Sequence, residues 1–246
     1  MEWIYGRNVV QLALAAGARR QARRLAATPP ALKALRESLP PGLPVDTVAA
    51  HELDDLTGSR DHQGAALQVD SFGYAPPESV LQADVVVVLD EVSDPRNLGA
   101  VARSALAAGA GGLVVPKHRS ASVTPAAVKA SAGTIEHLPV AQVTNTVGFL
   151  KEAKDAGFWV YGAAGGVAAS YLQLDLTGRV VLVFGAEGRG LLPLVATTCD
   201  ALASIPMEAA VESLNVSVAA ALFLFEARRQ RAAADGASGS RPGAGR

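Results

Sequence analysis

Residues 180–190 read VVLVFGAEGRG. Five apolar residues, four of them β-branched or aromatic, run straight into three glycines set around Glu187. The run is long enough to cross a sheet and too short for a helix of its own, so it predicts a buried strand. The glycines predict a backbone that turns tightly and admits close approach. A glycine loop leaving a strand of an α/β sheet is a common ligand site. A phosphate held by bare N–H groups fits badly, because Glu187 would put a full negative charge inside the cradle. GxxGxG is also the wrong order for the dinucleotide fingerprint GxGxxG. The loop is suited to a neutral or cationic ligand.

Outward from this stretch, strands and helices take turns. Apolar runs predict strands over 85–89, 112–115, 137–140, 158–161, 180–184 and 202–205. Helical spacing covers 98–108, 124–131, 145–155, 191–197 and 214–229. The alternation predicts an α/β class with a parallel sheet covered on both faces. Before it, residues 4–70 read as a smaller α/β unit, with helices over 8–17 and 31–38 and strands over 43–48 and 65–69. Phe72-Gly-Tyr-Ala-Pro76-Pro77-Glu reads as a linker stiffened by paired prolines. The expected organisation is a first domain over 1–70, a linker over 71–80, a second domain over 81–231, and a glycine-rich, disordered tail over 232–246.

Half of the 246 residues are hydrophobic and 18% are charged, which is the composition of a globular chain with a sizeable core. A single cysteine, Cys199, excludes an internal disulfide and a cysteine-only metal cage, and fits a reducing cytoplasm. Cys199 lies in Thr-Thr-Cys-Asp without a partner for covalent catalysis, and reads as a core residue. The four histidines lack metal-ligand spacing, so no metal is expected. His62, in Arg60-Asp-His-Gln-Gly64, reads as a hydrogen-bonded structural residue. The N-terminus has no signal-peptide pattern, and the apolar run 218–225 is far shorter than the roughly 20 residues that span a bilayer. A soluble, cytoplasmic protein without membrane association is expected. The formal net charge is −1, yet seven basic residues stand against Glu2 alone through Arg36. Such a cluster reads either as a polyanion-binding segment or as a solvated arginine-rich helix face.

Chemistry is expected at three junctions. In Asp94-Pro-Arg96-Asn97-Leu-Gly99-Ala-Val-Ala-Arg103, Asn97 reads as a helix cap, while Arg96, Gly99 and Arg103 share one face. Two guanidiniums with a glycine gap suit a phosphate or carboxylate; a capped helix with a solvated basic face is the plainer alternative. The second junction is the Glu187 loop. In the third, Ser204-Ile205-Pro-Met207 leads to Ser213-Leu214-Asn215, where Ser213 reads as the cap of a buried helix and Asn215 as part of its first turn.

Taken in order, NLGAVAR, VFGAEGRGL and SIPM…SLNVSVAAALFLFE resemble the three motifs of the SpoU/TrmH family of RNA ribose 2′-O-methyltransferases. IYGRNVV at residues 4–10, DHQG at 61–64 and VPKHRS at 115–120 resemble its RlmB type, which methylates a guanosine of 23S ribosomal RNA. The likeness extends to Arg231. It implies a SPOUT catalytic domain, a parallel sheet tied in a trefoil knot, behind a ribosomal-protein-like RNA-binding domain. It further implies S-adenosyl-L-methionine as methyl donor, and a homodimer with the active site at the interface. By motif match, Gly185, Ile205 and Leu214 would line the donor pocket, with Met207 nearby. Asn97, Arg103, Glu187, Ser213 and Asn215 would be catalytic, and Arg7, Arg19, Arg20, Arg23, Arg24, Arg96 and Arg119 would bind RNA. The resemblance gives Arg103 the role of base. A guanidinium with a pKa above about 12 suits phosphate binding and alkoxide stabilisation better. Glu187 is expected to orient an arginine or Asn97, and Ser213 and Asn215 to hold the ribose or its backbone. The expected partner is 23S rRNA, naked or in a pre-ribosomal particle. The alternatives are another rRNA or tRNA nucleotide, a non-catalytic RNA-binding member of the fold, and a dinucleotide oxidoreductase, which the missing GxGxxG disfavours.

Overall fold

The computed structural model describes residues 1–239. The chain runs β1 (Glu2–Tyr5), α1 (Arg7–Leu14), β2 (Ala22–Ala27), α2 (Pro29–Leu35), β3 (Val45–Thr47), α3 (Ala50–Thr57) and β4 (Ala65–Val69). It continues through α4 (Pro77–Val80), β5 (Val85–Asp90), α5 (Pro95–Ala108), β6 (Gly112–Pro116), α6 (Pro125–Ala130), β7 (Val140–Val143) and α7 (Thr146–Asp155). The last part is β8 (Trp159–Ala163), β9 (Val180–Gly185), α8 (Pro193–Thr198), β10 (Ala201–Ala203) and α9 (Val216–Gly239).

The first seven elements build a mixed four-stranded sheet in the order β1-β4-β2-β3. The remainder builds a six-stranded parallel sheet in the order β10-β8-β9-β5-β6-β7. Alternation along the central strands sorts their side chains to two faces. Val85, Val87, Leu89, Val180, Leu182 and Phe184 join the core beneath α5 and α9, while Val86, Val88, Val181 and Val183 pack under α7 and α8. β9 slots between β8 and β5, so Gly185 lies level with Asp90 and the loops leaving β5 and β9 are neighbours. From β10 at the edge, the chain passes Ala169 and Glu187 before α9 returns to pack on α5.

The two sheets share a continuous core: Ile4, Val9 and Val10 cluster with Leu98, Ile135 and Leu138. Arg20 corrects the reading of the basic N-terminal segment. It is buried, with its guanidinium on Glu136, itself fully buried, and on Glu2. Arg20 therefore joins the first sheet to the turn after α6 and has no free face for RNA. Arg23 and Arg24 lie on strand β2 rather than on a helix, paired with Asp70 and Asp46. Those two pairs lower each carboxyl pKa and raise each guanidinium through side-chain hydrogen bonds. Arg7 and Arg19 are exposed, without a side-chain ion pair among the described residues. His62 is buried: its Nδ1 accepts from the Gly64 N–H at 2.9 Å, which leaves Nε2 as the donor toward Asp54 Oδ1 at 3.1 Å.

Three further local expectations change. Phe72 and Tyr74 pack against the core and Ala75 bridges to Ala141, so this segment is pinned, and Pro77 opens α4 instead of extending a linker. Residues 134–137 form a 3-10 turn, with the strand beginning only at Val140. Helix α9 continues through Ala232–Gly239, against the expected disorder from Ala232, because a long helix propagates readily through its alanines. The rest of the expected tail, 240–246, lies outside the described residues.

Candidate active site

The glycine loop after β9 folds back on itself. The Gly190 N–H donates to Ala186 O at 2.8 Å, closing a bridge around Glu187, Gly188 and Arg189. Gly185 is the pivot: a Cβ there would lie 2.1 Å from Gly190 C and 2.2 Å from its carbonyl oxygen. This tightness sets Glu187 against the first turns of two helices. Its Oε1 accepts from Asn97 Nδ2 at 3.0 Å, from Asn215 Nδ2 at 2.6 Å and from the Val216 N–H at 3.4 Å. Asn215 Nδ2 also donates to Asn97 Oδ1 at 3.0 Å. One residue from each of the three motifs thus meets at a single carboxylate.

The caps differ from expectation. Asp94 caps α5, accepting from the Arg96 N–H, with Pro95 in the first turn, so Asn97 is free to reach Glu187. Asn215 caps α9 by accepting from the Ser217 N–H at 2.8 Å, and Ser213 lies in the preceding loop. Asn215 uses its oxygen for the cap and its amide for Glu187, which locks the side chain from both ends.

Beside this cluster lies a cleft of about 600 Å³. Its lining includes Ala163–Gly166, the loop 185–190, Ser204–Met207 and Glu212–Leu214, over Phe184 and Phe223. Gly185, Glu187, Ile205, Met207, Ser213 and Leu214 all line it. The two phenylalanine rings meet edge to face at 5.5 Å and Tyr171 tilts over Phe223 at 5.1 Å, making a firm apolar floor. Charged lining residues are Glu187, Glu208 and Glu212 against Arg189. An apolar slot with surplus negative charge suits a flat base and a sulfonium cation, and repels a free phosphate. The donor expected from sequence therefore fits the residues present.

Asp90, at the end of β5, was not singled out by its sequence. It is buried, and its Oδ2 accepts from the Leu192 N–H at 3.1 Å, tying the end of the glycine loop to β5. Burial pushes its carboxyl pKa up, and the Leu192 hydrogen bond partly offsets this.

Other expected residues stand apart. Arg103 is exposed on α5, does not line the cleft, and has no hydrogen bond or ion pair among the described residues. Gly99 faces inward: a Cβ there would lie 2.2 Å from Ala127 O, so it is a packing contact with α6 and not a gap for phosphate. Arg96 folds back bidentately on Asp94. Arg119 lies 3.6 Å from Glu91. Cys199 is half-buried, and desolvation pushes its thiol up to about 11. No metal-binding cluster occurs among the described residues.

The profile of the SpoU rRNA methylase family matches residues 84–225, and that of the RNA 2′-O ribose methyltransferase substrate-binding domain matches residues 3–75. The chain is 42% identical over 240 residues to an uncharacterized tRNA/rRNA methyltransferase of Mycobacterium ulcerans, covering 94% of this chain and 77% of that protein. Among solved structures it resembles the SpoU methyltransferase AviRb of Streptomyces viridochromogenes in complex with AdoMet, at a TM-score of 0.78 and 26% identity over 94% of this chain and 90% of that one. It also resembles a TrmH-family RNA methyltransferase of Porphyromonas gingivalis, at 0.78 and 29% over 93% and 90%. Sheet, cleft and substrate-binding unit together define an S-adenosyl-L-methionine-dependent RNA 2′-O-methyltransferase. The chain belongs to the SpoU rRNA methylase family.

Proposed function

We propose that this enzyme methylates the ribose 2′-hydroxyl of a guanosine in 23S ribosomal RNA, in the cytoplasm, as a homodimer. The observation that carries the chemistry is the convergence of Asn97 and Asn215 on Glu187 at the rim of an apolar, acidic cleft. S-Adenosyl-L-methionine supplies an electrophilic methyl on a cationic sulfur that departs as a neutral thioether. The protein's task is then to place the hydroxyl in line and to stabilise its oxygen as the proton leaves. Asn97 and Asn215, fixed through Glu187, hold the ribose. Arg103 binds the target phosphate and stabilises the developing alkoxide, and the proton passes toward that phosphate. Gly185, Ile205, Met207 and Leu214 line the donor's side of the cleft, and Ser213 lies beside them.

Arg103 lies outside the cleft of its own chain, which supports a site completed by a second copy. Val218, Leu222 and Phe225 are exposed at spacings of four and three along α9 and form an apolar stripe suited to self-association. On the RNA side, Arg7 and Arg19 are exposed without a side-chain ion pair among the described residues, while Arg23, Arg24, Arg96 and Arg119 can exchange carboxylate partners for phosphate. Guanosine and 23S rRNA rest on IYGRNVV, DHQG and VPKHRS, whose likeness is to the RlmB type. Ribose-methylation mapping of total RNA from cells with and without the gene tests this. Loss of one 2′-O-methylguanosine in 23S rRNA is expected, and loss of a tRNA mark instead would replace the substrate.

A further inference from the structure

Four non-glycine residues among those described have left-handed backbones, and two of them, Glu91 and Arg119, share a φ of 57° and face each other. Glu91 follows β5 and Arg119 follows β6. A conformation that favours glycine is retained by a glutamate when its side chain has work to do there. The Glu91 side chain is only 12% exposed, and its two oxygens are shared: Oε2 accepts from Arg189 Nη1 at 3.1 Å, and Oε1 lies 3.6 Å from Arg119 Nη1. The loops beneath are stitched together, with the Ala121 N–H and Ser120 Oγ both donating to Val92 O at 2.8 and 3.1 Å. Arg189 is the residue between Gly188 and Gly190 at the mouth of the donor cleft. Both guanidiniums remain largely open, at 83% and 71% side-chain exposure, so each keeps donors free.

We propose that Glu91, Arg119 and Arg189 form an anion site for a phosphate of the RNA strand next to the target nucleotide. Arg119 and Arg189 are the phosphate ligands, and Glu91 is a positioning residue that holds both forks ready before RNA arrives. Two cations on one carboxylate leave a net positive charge, whereas Arg96 is neutralised by Asp94. A phosphate accepts from two guanidiniums at once, so it bridges the pair as Glu91 does in the free protein. The site lies on the lip of the cleft that carries the chemistry, which selects the RNA backbone over a free anion as occupant. This inference rests on the RNA-methyltransferase reading above.

The test is the salt dependence of binding of a fluorescein-labelled, unmodified 23S rRNA fragment to the full chain. Wild type, Arg119→Ala, Arg189→Ala and Lys151→Ala are compared, Lys151 being exposed on α7 across the sheet. Each arginine variant is expected to lower the slope of log affinity against log salt by about 0.7, and Lys151→Ala to leave it unchanged. Arg119→Ala is expected to retain the wild-type affinity for S-adenosylmethionine, which excludes misfolding as the cause. Glu91→Gln is expected to keep the slope and lower the single-turnover methylation rate severalfold. Slopes for both arginine variants equal to that of Lys151→Ala, with methylation intact, would overturn the anion site and leave the enzyme reading standing. If the wild type binds the fragment but transfers no methyl, the function fails separately from this site.

Discussion

Gly185→Ala is the most demanding local perturbation that the site offers. The new Cβ would lie 2.1 Å from Gly190 C, and ordinary contact begins at 3.4 Å, so the loop must retreat by about 1.3 Å. That shift breaks the 2.8 Å bond from the Gly190 N–H to Ala186 O and pulls Glu187 from Asn215 and Asn97, now at 2.6 and 3.0 Å. Overpacking costs about 1–3 kcal/mol. Each exposed hydrogen bond to the carboxylate adds about 1 kcal/mol after solvent screening. A loss on the order of 3 kcal/mol in the binding-competent loop corresponds to roughly 100-fold weaker donor binding. Calorimetric titration with S-adenosylmethionine measures it, and thermal unfolding shows whether the sheet is intact. Gly188→Ala is the internal control: nothing lies within 4 Å of its Cβ, and only a φ of 75° opposes the side chain. A loss of about fivefold is expected there. If Gly185→Ala bound the donor within threefold of wild type, the cleft would not be the donor's cradle.

Arg103→Lys keeps the charge and loses the fork, so single-turnover methylation is expected to fall at least tenfold; a near-normal rate would make bidentate geometry irrelevant. Arg20→Met strands the fully buried Glu136 carboxylate, a cost of about 3–5 kcal/mol, and should lower the melting temperature by roughly 10 °C. Adding Glu136→Met should recover most of it, and an unchanged melting point in the single variant would contradict the buried pairing. Cys199 is expected to resist iodoacetamide at pH 8, because its thiol is held near 11. As the unfolded thiol ionises near pH 9 and the folded one does not, Cys199 should also make stability fall as pH rises from about 9 to 11, a contribution absent in Cys199→Ser. Phe225→Glu on the exposed stripe of α9 should give a monomer by light scattering with little methylation activity; an active monomer would refute the shared site.

The strand Val180–Gly185 and its loop were legible because an apolar run of that length followed by glycines has few other readings. Asn97 was placed on the right helix at the wrong position. The stronger signal was Asp94-Pro95, a cap followed by proline, and it released Asn97 for Glu187. Ser213 and Asn215 are both good caps, and only the approach of Glu187 selects between them. Arg20 was misread because a count of neighbouring charges cannot register Glu136, 116 residues away. Strand β2 escaped notice because the two arginines of ARRLAA obscure the short apolar run Leu25–Ala27 that pairs with β4 and β3. Glu91 gave no signal, since its partners Arg119 and Arg189 reach it only in the folded chain.

Delivery of a methyl group from the cleft beside Glu187 to a ribose oxygen has a direct test. Purified protein incubated with methyl-labelled S-adenosylmethionine and unmodified 23S rRNA, followed by nuclease digestion to nucleosides, tests it directly. Label is expected in 2′-O-methylguanosine at one position, and none with Glu187→Ala. Label on a base, or label on ribose that persists in Glu187→Ala, would contradict it.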